Sequence, residues 1–161
     1  IHYQKELKYG LNNDKEQISY FRHLSQFFDE VERDGFKSFQ ENVYHYDLCQ
    51  KRETDSKKVL KLLKDEPELS REVMRHLDFI ISDLKPKIIF VFNASVSKLL
   101  KEYKSPEGDG FFEKNEMDKA SGCYTRQGTP VILANQLSGG ATSLVYKEML
   151  IWNVNRIIEK L

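Results

Sequence analysis

Cysteine is scarce in this chain: Cys49 and Cys123 are the only two in 161 residues. Two are too few for a disulfide framework, and these lie too far apart for a zinc knuckle, so both read as free thiols in a reducing compartment. Eight glycines and four prolines exclude a linker or a low-complexity chain. An excess of either charge is also missing, because 25 Lys and Arg balance 25 Asp and Glu. A strongly basic nucleic-acid glove and a polybasic membrane anchor both need a field that a neutral chain lacks, although a local basic groove stays open. No run approaches the roughly 18 apolar residues of a membrane span, and residues 1–20 lack the basic and apolar regions of a signal peptide. The expectation is a cytoplasmic protein without a membrane partner.

Helical and strand periods alternate along the chain. Residues 15–33 carry Ile18, Phe21, Leu24, Phe28 and Val31 at helical spacing, with Asn13 placed to cap and Gly35 to stop. Residues 42–49, with Val43, Tyr44, Tyr46 and Leu48, read as a first strand. A short helix is predicted over 57–64. A longer one follows over 67–84, with Val73, Met74, Leu77, Ile80, Ile81 and Leu84 on one face, Ser70 as N-cap and Pro86 as stop. Residues 87–92 are apolar at both parities, as a parallel strand covered on both faces must be.

A helix over 95–103 comes next. Between 105 and 118 five acids face the single base Lys114, which predicts a solvated loop or flap. Gly128, Thr129 and Pro130 then introduce a short strand over 131–134. Residues 143–161 form an amphipathic helix whose stripe is Leu150, Val154, Ile157, Ile158 and Leu161. The pattern is that of an α/β protein, a three-layer α/β/α domain with a small, mainly parallel central sheet, formed by the whole chain as one domain.

In such a sheet, ligands bind beyond the carboxyl ends of the strands, and here those ends are polar. The first ends at Asp47-Leu48-Cys49-Gln50, the second at Asn93, and the third at Asn135-Gln136-Leu137-Ser138. His45 shares the strand parity of Asp47 and is the one histidine able to join it. Helix capping is the alternative role for Asn93 and Asn135. Ser138, Gly139, Gly140, Ala141, Thr142 and Ser143 are small enough for backbone N–H groups to approach a phosphate at the last helix, with an unliganded cap as the alternative. Neither a Walker loop nor a dinucleotide fingerprint is present. Residues 51–64 hold Lys51, Arg52, Lys57, Lys58, Lys61 and Lys64 against Glu53 and Asp55, which suits either a phosphate backbone or a solvated helix face.

The run from Val43 through Asp47 to Arg52, the helix ending Leu84-Lys85-Pro86, the strand through Asn93 and the passage from Thr129 to Ser138 together resemble the uracil-DNA glycosylase superfamily. The resemblance covers residues 42–161 and implies that fold, with single- or double-stranded DNA as partner and an extruded base as ligand. Asp47 stands where the family has an Asn that reads the pyrimidine edge. A carboxylate only accepts hydrogen bonds, so it opposes the O4 of uracil and favours an amino-bearing base. Gln136-Leu137-Ser138 stands where the family has His-Pro-Ser. Gln136 can donate to the base O2 but supplies no cation, a loss on the order of 100- to 1,000-fold in rate.

Gly10-Leu11-Asn12-Asn13-Asp14 echoes the family's first motif, with Asn12 and Asp14 as the water-positioning candidates. Lys5 to Tyr9 is too polar for the central strand that should precede it, so that region is either diverged or truncated. On this reading Asp47, His45, Asn93 and Asn135 hold the base. Ser138, Gly139, Gly140, Thr142, Ser143, Lys51 and Arg52 hold phosphate, and Gln136, Asn12 and Asp14 carry any hydrolysis. Neither a metal nor a cofactor is expected, and two cysteines cannot hold the four-cysteine iron–sulfur cluster of some family members. The alternatives are an inactive nucleic-acid or protein binding module on the same fold, and an α/β protein for small nucleosides or nucleotides.

Overall fold

The computed structural model describes residues 27, 28, 30, 31, 44–46, 48, 56–113, 123–134 and 143–159. The chain divides into two compact units, Leu48–Asn135 on the one hand and Ile1–Asp47 with Gln136–Leu161 on the other.

The unit Leu48–Asn135 holds helices α1 (Ser56–Asp65) and α2 (Pro67–Leu84), strand β1 (Ile89–Phe92), helix α3 (Ala94–Glu102), and strands β2 (Cys123–Arg126) and β3 (Thr129–Ala134). α2 starts earlier than Ser70. Pro67 takes its first position, where a fixed φ suits the helix and the missing N–H is no loss, and the Ser70 N–H already bonds the Glu66 carbonyl at 3.1 Å. α2 stops because Lys85 turns left-handed at φ 46°, its N–H closing on the Ile81 carbonyl at 2.9 Å, with Pro86 unable to continue the helix.

The sheet has the order β1-β3-β2. β1 and β3 are parallel, paired from Ile89↔Val131 to Phe92↔Ala134, while β2 and β3 are antiparallel. The sheet is therefore mixed, with one pair of each kind among the described residues, and the expectation of a mainly parallel sheet is corrected. β2 escaped the sequence reading because half of Cys-Tyr-Thr-Arg is polar and it follows the acidic stretch. A two-residue turn joins it to β3. Gln127 at φ 51° and Gly128 at φ 74° both lie in the left-handed region, as a type I′ hairpin requires.

The first expected strand, over 42–49, is not found at its described residues, and 42, 43, 47 and 49 lie outside them. Tyr44, His45 and Tyr46 have no strand assignment and Leu48 is in a bend. Aromatic content supplies strand propensity, but a strand exists only with a ladder partner, and none is found among the described residues. The coarser class stands as helices with a small three-stranded sheet.

The core of this unit gathers Leu63, Met74, Ile81, Leu99, Leu100 and Phe111. α3 packs on β1 and β3, and α1 packs on α2 and α3. Phe111 is the exception to the solvated loop or flap expected over 105–118, whose residues 106–109 are exposed and whose residues 114–118 lie outside the described ones. Phe111 is 2% exposed, and a bridge between Lys104 and Gly110 ties the base of its loop. Burying a Phe side chain gains about 2–3 kcal/mol, which outweighs the tendency of its acidic neighbours to stay in water.

Arg126 locks these parts together. Its Nε and Nη2 donate to Asp78 Oδ1 at 2.7 Å and Oδ2 at 2.5 Å, and its Nη1 donates to the Phe111 carbonyl at 2.7 Å. The guanidinium also lies 4.7 Å from the centre of the Phe111 ring. The Asp78 hydrogen bonds push the Arg126 pKa up despite partial burial, so the guanidinium keeps its charge. Gln127 adds to the same anchor, its Nε2 donating to Asp78 and its Oε1 accepting from Ser82 Oγ at 2.9 Å.

In the other unit Phe27 and Phe28 are helical and buried, with rings edge to face at 5.2 Å, and Val31 is buried beside them in sequence. The rest of the helix expected over 15–33 lies outside the described residues. Helix α4 (Leu144–Ile158) has Ser143 as N-cap, its hydroxyl accepting from the Tyr146 N–H at 3.2 Å. Leu150 and Val154 are buried, as the stripe predicts, and Lys147 is ion-paired with Glu30.

Replacing Asp78 or Arg126 with Ala is expected to destabilise the protein by about 2 kcal/mol, the value of a part-buried charged hydrogen-bond pair. Urea unfolding of both single variants and the double variant checks this. The double variant should lose clearly less than the two single losses added together.

Candidate functional site

Two parallel strands end level with each other, Phe92 beside Ala134, and this is the edge at which open α/β sheets take ligands. The register follows from the hairpin. The turn at Gln127 and Gly128 fixes β2 against β3, and the apolar run Val131–Ala134 brings β3 against β1. Ile89 and Val91 turn toward the helical core, so Phe90 and Phe92 occupy the opposite face of the strand. Their rings stack at 5.5 Å with planes 2° apart, and both are half-buried. Sequence reasoning took these phenylalanines as strand filling. The signal that distinguishes Phe92 is its place as the last strand residue before a polar one.

Asn93 follows directly. It is half-buried and caps α3, its Oδ1 accepting from the N–H groups of Ser95 at 2.9 Å and Val96 at 3.1 Å. The capping alternative is thus realised for the side-chain oxygen. The amide NH2 makes no hydrogen bond among the described residues, so the donor end of Asn93 is unspent at the carboxyl edge. The cap also sets the positive end of the α3 dipole there.

Of the other expected site residues, His45 and Ser143 are described, and both belong to the unit that Asn93 does not. Ser143 is exposed and its hydroxyl serves as a cap, the alternative to phosphate binding. His45 is half-buried in a segment with no regular structure. Asn12, Asp14, Asp47, Lys51, Arg52, Asn135, Gln136, Ser138, Gly139, Gly140 and Thr142 lie outside the described residues.

A cleft of about 440 Å³ opens elsewhere, where Lys104 and Ser105 leave the carboxyl end of α3. A helix that follows a strand and packs back on the sheet runs against it, so this cleft lies at the opposite end of the sheet from Asn93. Leu63, Leu99 and Tyr103 line it, with Lys64 and Arg71 at its walls. Lys64 pairs with Glu102 at 3.6 Å and Arg71 with Glu68, both at exposed positions, and Lys104 also lines the cleft. The Ser105 hydroxyl holds the exposed Glu107 carboxyl below its ordinary range, and the Arg71 charge adds to this. Binding sites combine concavity with convergent polar groups, and the cleft has Lys104 beside the ion-paired Lys64 and Arg71, but it lies away from the strand ends at which open α/β sheets take ligands. The carboxyl edge is the stronger candidate although it is less concave.

Among the described residues no three His, Cys, Asp or Glu side chains come together as metal ligands, and Cys123 is buried with its thiol donating to the Tyr124 carbonyl at 3.6 Å. No described helix is long and apolar enough to cross a membrane. On α4 the side chains of Leu144, Val145, Met149 and Trp152 are exposed, and Arg156 lies 4.7 Å from the Trp152 ring.

The Asn93→Ala variant is expected to lose about 1 kcal/mol of stability with the cap, measured by thermal or urea unfolding. Asn93→Asp keeps a capping oxygen and removes the amide donors, so it should unfold as the parent does while losing any ligand that the donors hold.

Comparison with protein-family models, with curated proteins and with solved structures finds no match, so the functional reading rests on the residues and geometry of this chain alone.

Proposed function

We propose that this chain is a divergent protein of the uracil-DNA glycosylase type, which takes a base extruded from DNA at the carboxyl edge of its sheet. The level ends of β1 and β3, with half-buried Asn93 offering amide donors there, are the observation that supports this reading most. A flipped base needs an aromatic or apolar face to stack on and hydrogen bonds to its edge. Phe92 and Asn93 are residues of those two kinds, adjacent in sequence.

The chemistry would follow from the residues that the resemblance assigns. Asp47 accepts hydrogen bonds from the exocyclic amino group of the base, and the amide of Gln136 donates to its O2. As the bond from C1′ to the base nitrogen breaks, the electron pair passes to the base, and Gln136 stabilises the charge that gathers on O2. A water held by Asn12 or Asp14 adds to C1′, with the Asp14 carboxylate taking its proton. The segment from Ser138 to Ser143, with Lys51 and Arg52, holds the flanking phosphates. With an amide in place of an imidazolium at O2, hydrolysis is expected to run on the order of 100- to 1,000-fold below a His-bearing site.

Single- and double-stranded oligonucleotides carrying uracil, hypoxanthine, xanthine or cytosine test this, with Asp47→Ala as control. Release of an amino-bearing base that the control abolishes is the expected result. Equal release by the parent protein and the control would remove Asp47 from base reading. A second reading, an inactive module that binds a protein partner, is favoured by the exposed apolar residues of α4. It predicts no base release and an association that hardly weakens with added salt.

A further inference from the structure

Helices α1 and α3 together carry six lysines, Lys57, Lys58, Lys61, Lys64, Lys98 and Lys101, against two acids, Asp65 and Glu102, within a chain of zero net charge. The lysines are not scattered. Lys57, Lys61 and Lys64 recur at i, i+4 and i+7, which sets them on one stripe of α1. Lys64 reaches Glu102 of α3 at 3.6 Å, and Lys98, one turn before Glu102, reaches the same carboxylate at 3.7 Å. The stripe of α1 therefore flanks the lysine-bearing side of α3. Glu102 sits between Lys64 and Lys98, holding them side by side while leaving their side chains 60% and 70% exposed. Asn93, at the carboxyl edge of the sheet, lies five residues before Lys98, about 1.4 turns along α3.

We propose that this lysine ridge is the track along which a nucleic-acid backbone runs to the base site, an inference that rests on the nucleic-acid reading above and extends it to a defined surface. The α1 stripe from Lys57 to Lys64 spans about 10 Å, at 1.5 Å per residue. One DNA strand presents a phosphate about every 3.4 Å along its axis, so the stripe faces about three of them. A membrane is the weaker match for the same charge. A helix lying on lipid buries a large apolar face, and neither α1 nor α3 exposes a large apolar side chain among the described residues. Glu102, at the centre of the ridge, is shared by two lysines. The ridge thus supplies locally the field that the neutral chain lacks as a whole.

The test uses the full chain with the triple variant Lys57→Gln, Lys61→Gln, Lys98→Gln, which leaves the Lys64 ion pair in place. The triple Arg variant at the same positions keeps the charge. Binding of an undamaged, fluorescently labelled double-stranded oligonucleotide is followed by anisotropy from 0.05 to about 0.2 M salt. The Gln variant is expected to bind at least tenfold more weakly near 0.1 M salt, and the slope of log affinity against log salt should fall by about 2–3, with the Arg variant close to the parent. An unchanged melting temperature shows that the fold has been kept. If the parent binds and the Gln variant keeps its affinity and slope, the ridge is overturned while the base reading stands. Loss of slope without release of any base supports the ridge even where the glycosylase reading fails. Binding of the parent to phosphatidylserine vesicles, with none to the oligonucleotide, overturns the ridge as a nucleic-acid track.

Discussion

Asp78 and Arg126 lie 48 residues apart in sequence and meet in a two-pronged ion pair, and the unit Leu48–Asn135 is arranged around that meeting. One partner sits on α2 and the other at the last position of β2. The pair fixes where the hairpin stands against the helices. The third donor of the guanidinium takes the Phe111 carbonyl, which draws the end of an otherwise acidic loop into the core. Because the type I′ turn leaves no slack between β2 and β3, holding β2 also sets β3, and β3 in turn sets its parallel register with β1. The level strand ends that form the candidate site are thus a consequence of a side-chain pair on the far side of the hairpin.

Much of this arrangement could be read in the sequence wherever burial alone decides the structure. The apolar run through Phe92 became β1, and Val131 to Ala134 became the inner part of β3. The stripe through Met74, Ile80 and Ile81 became the buried side of α2, and that through Leu150 and Val154 the buried side of α4. The failures share a cause. Whether Cys-Tyr-Thr-Arg pairs as a strand and Tyr44 to Tyr46 does not depends on a partner distant in sequence, and local propensity carries no record of it. Phe111 was misread in the same way, since its acidic neighbours describe the solvent side of the loop while the ring occupies the core. Ser70 lost the cap to Pro67 and Glu66 because a proline in the first turn extends a helix backward at no cost.

The site was legible in part. Asn93 stands at the edge where the end of an apolar strand predicted a polar group, and its oxygen has the capping role weighed as the alternative. Its amide donors, without a partner among the described residues, and the stacked rings of Phe90 and Phe92 were not legible, since both depend on geometry and not on residue type. The lysine ridge was visible only as charge. Helical phase and the shared carboxylate Glu102 convert a run of lysines into a surface with direction. Under the proposed function recognition and chemistry would separate physically: a base can be held by an acceptor, a donor and an aromatic face, whereas fast cleavage would need a cation that an amide such as Gln136 cannot provide.

The central claim is that ligand meets the protein at the carboxyl ends of β1 and β3. The most direct measurement is a nuclear magnetic resonance titration of isotope-labelled protein with a short single-stranded oligonucleotide, following the backbone amides and the side-chain amide of Asn93. The account predicts that the largest shifts fall at Phe92, Asn93, Ser95 and Ala134, with the Asn93 NH2 signals moving most. Shifts centred instead on Leu63, Arg71 and Tyr103 would place the ligand in the cleft at the other end of the sheet and contradict it.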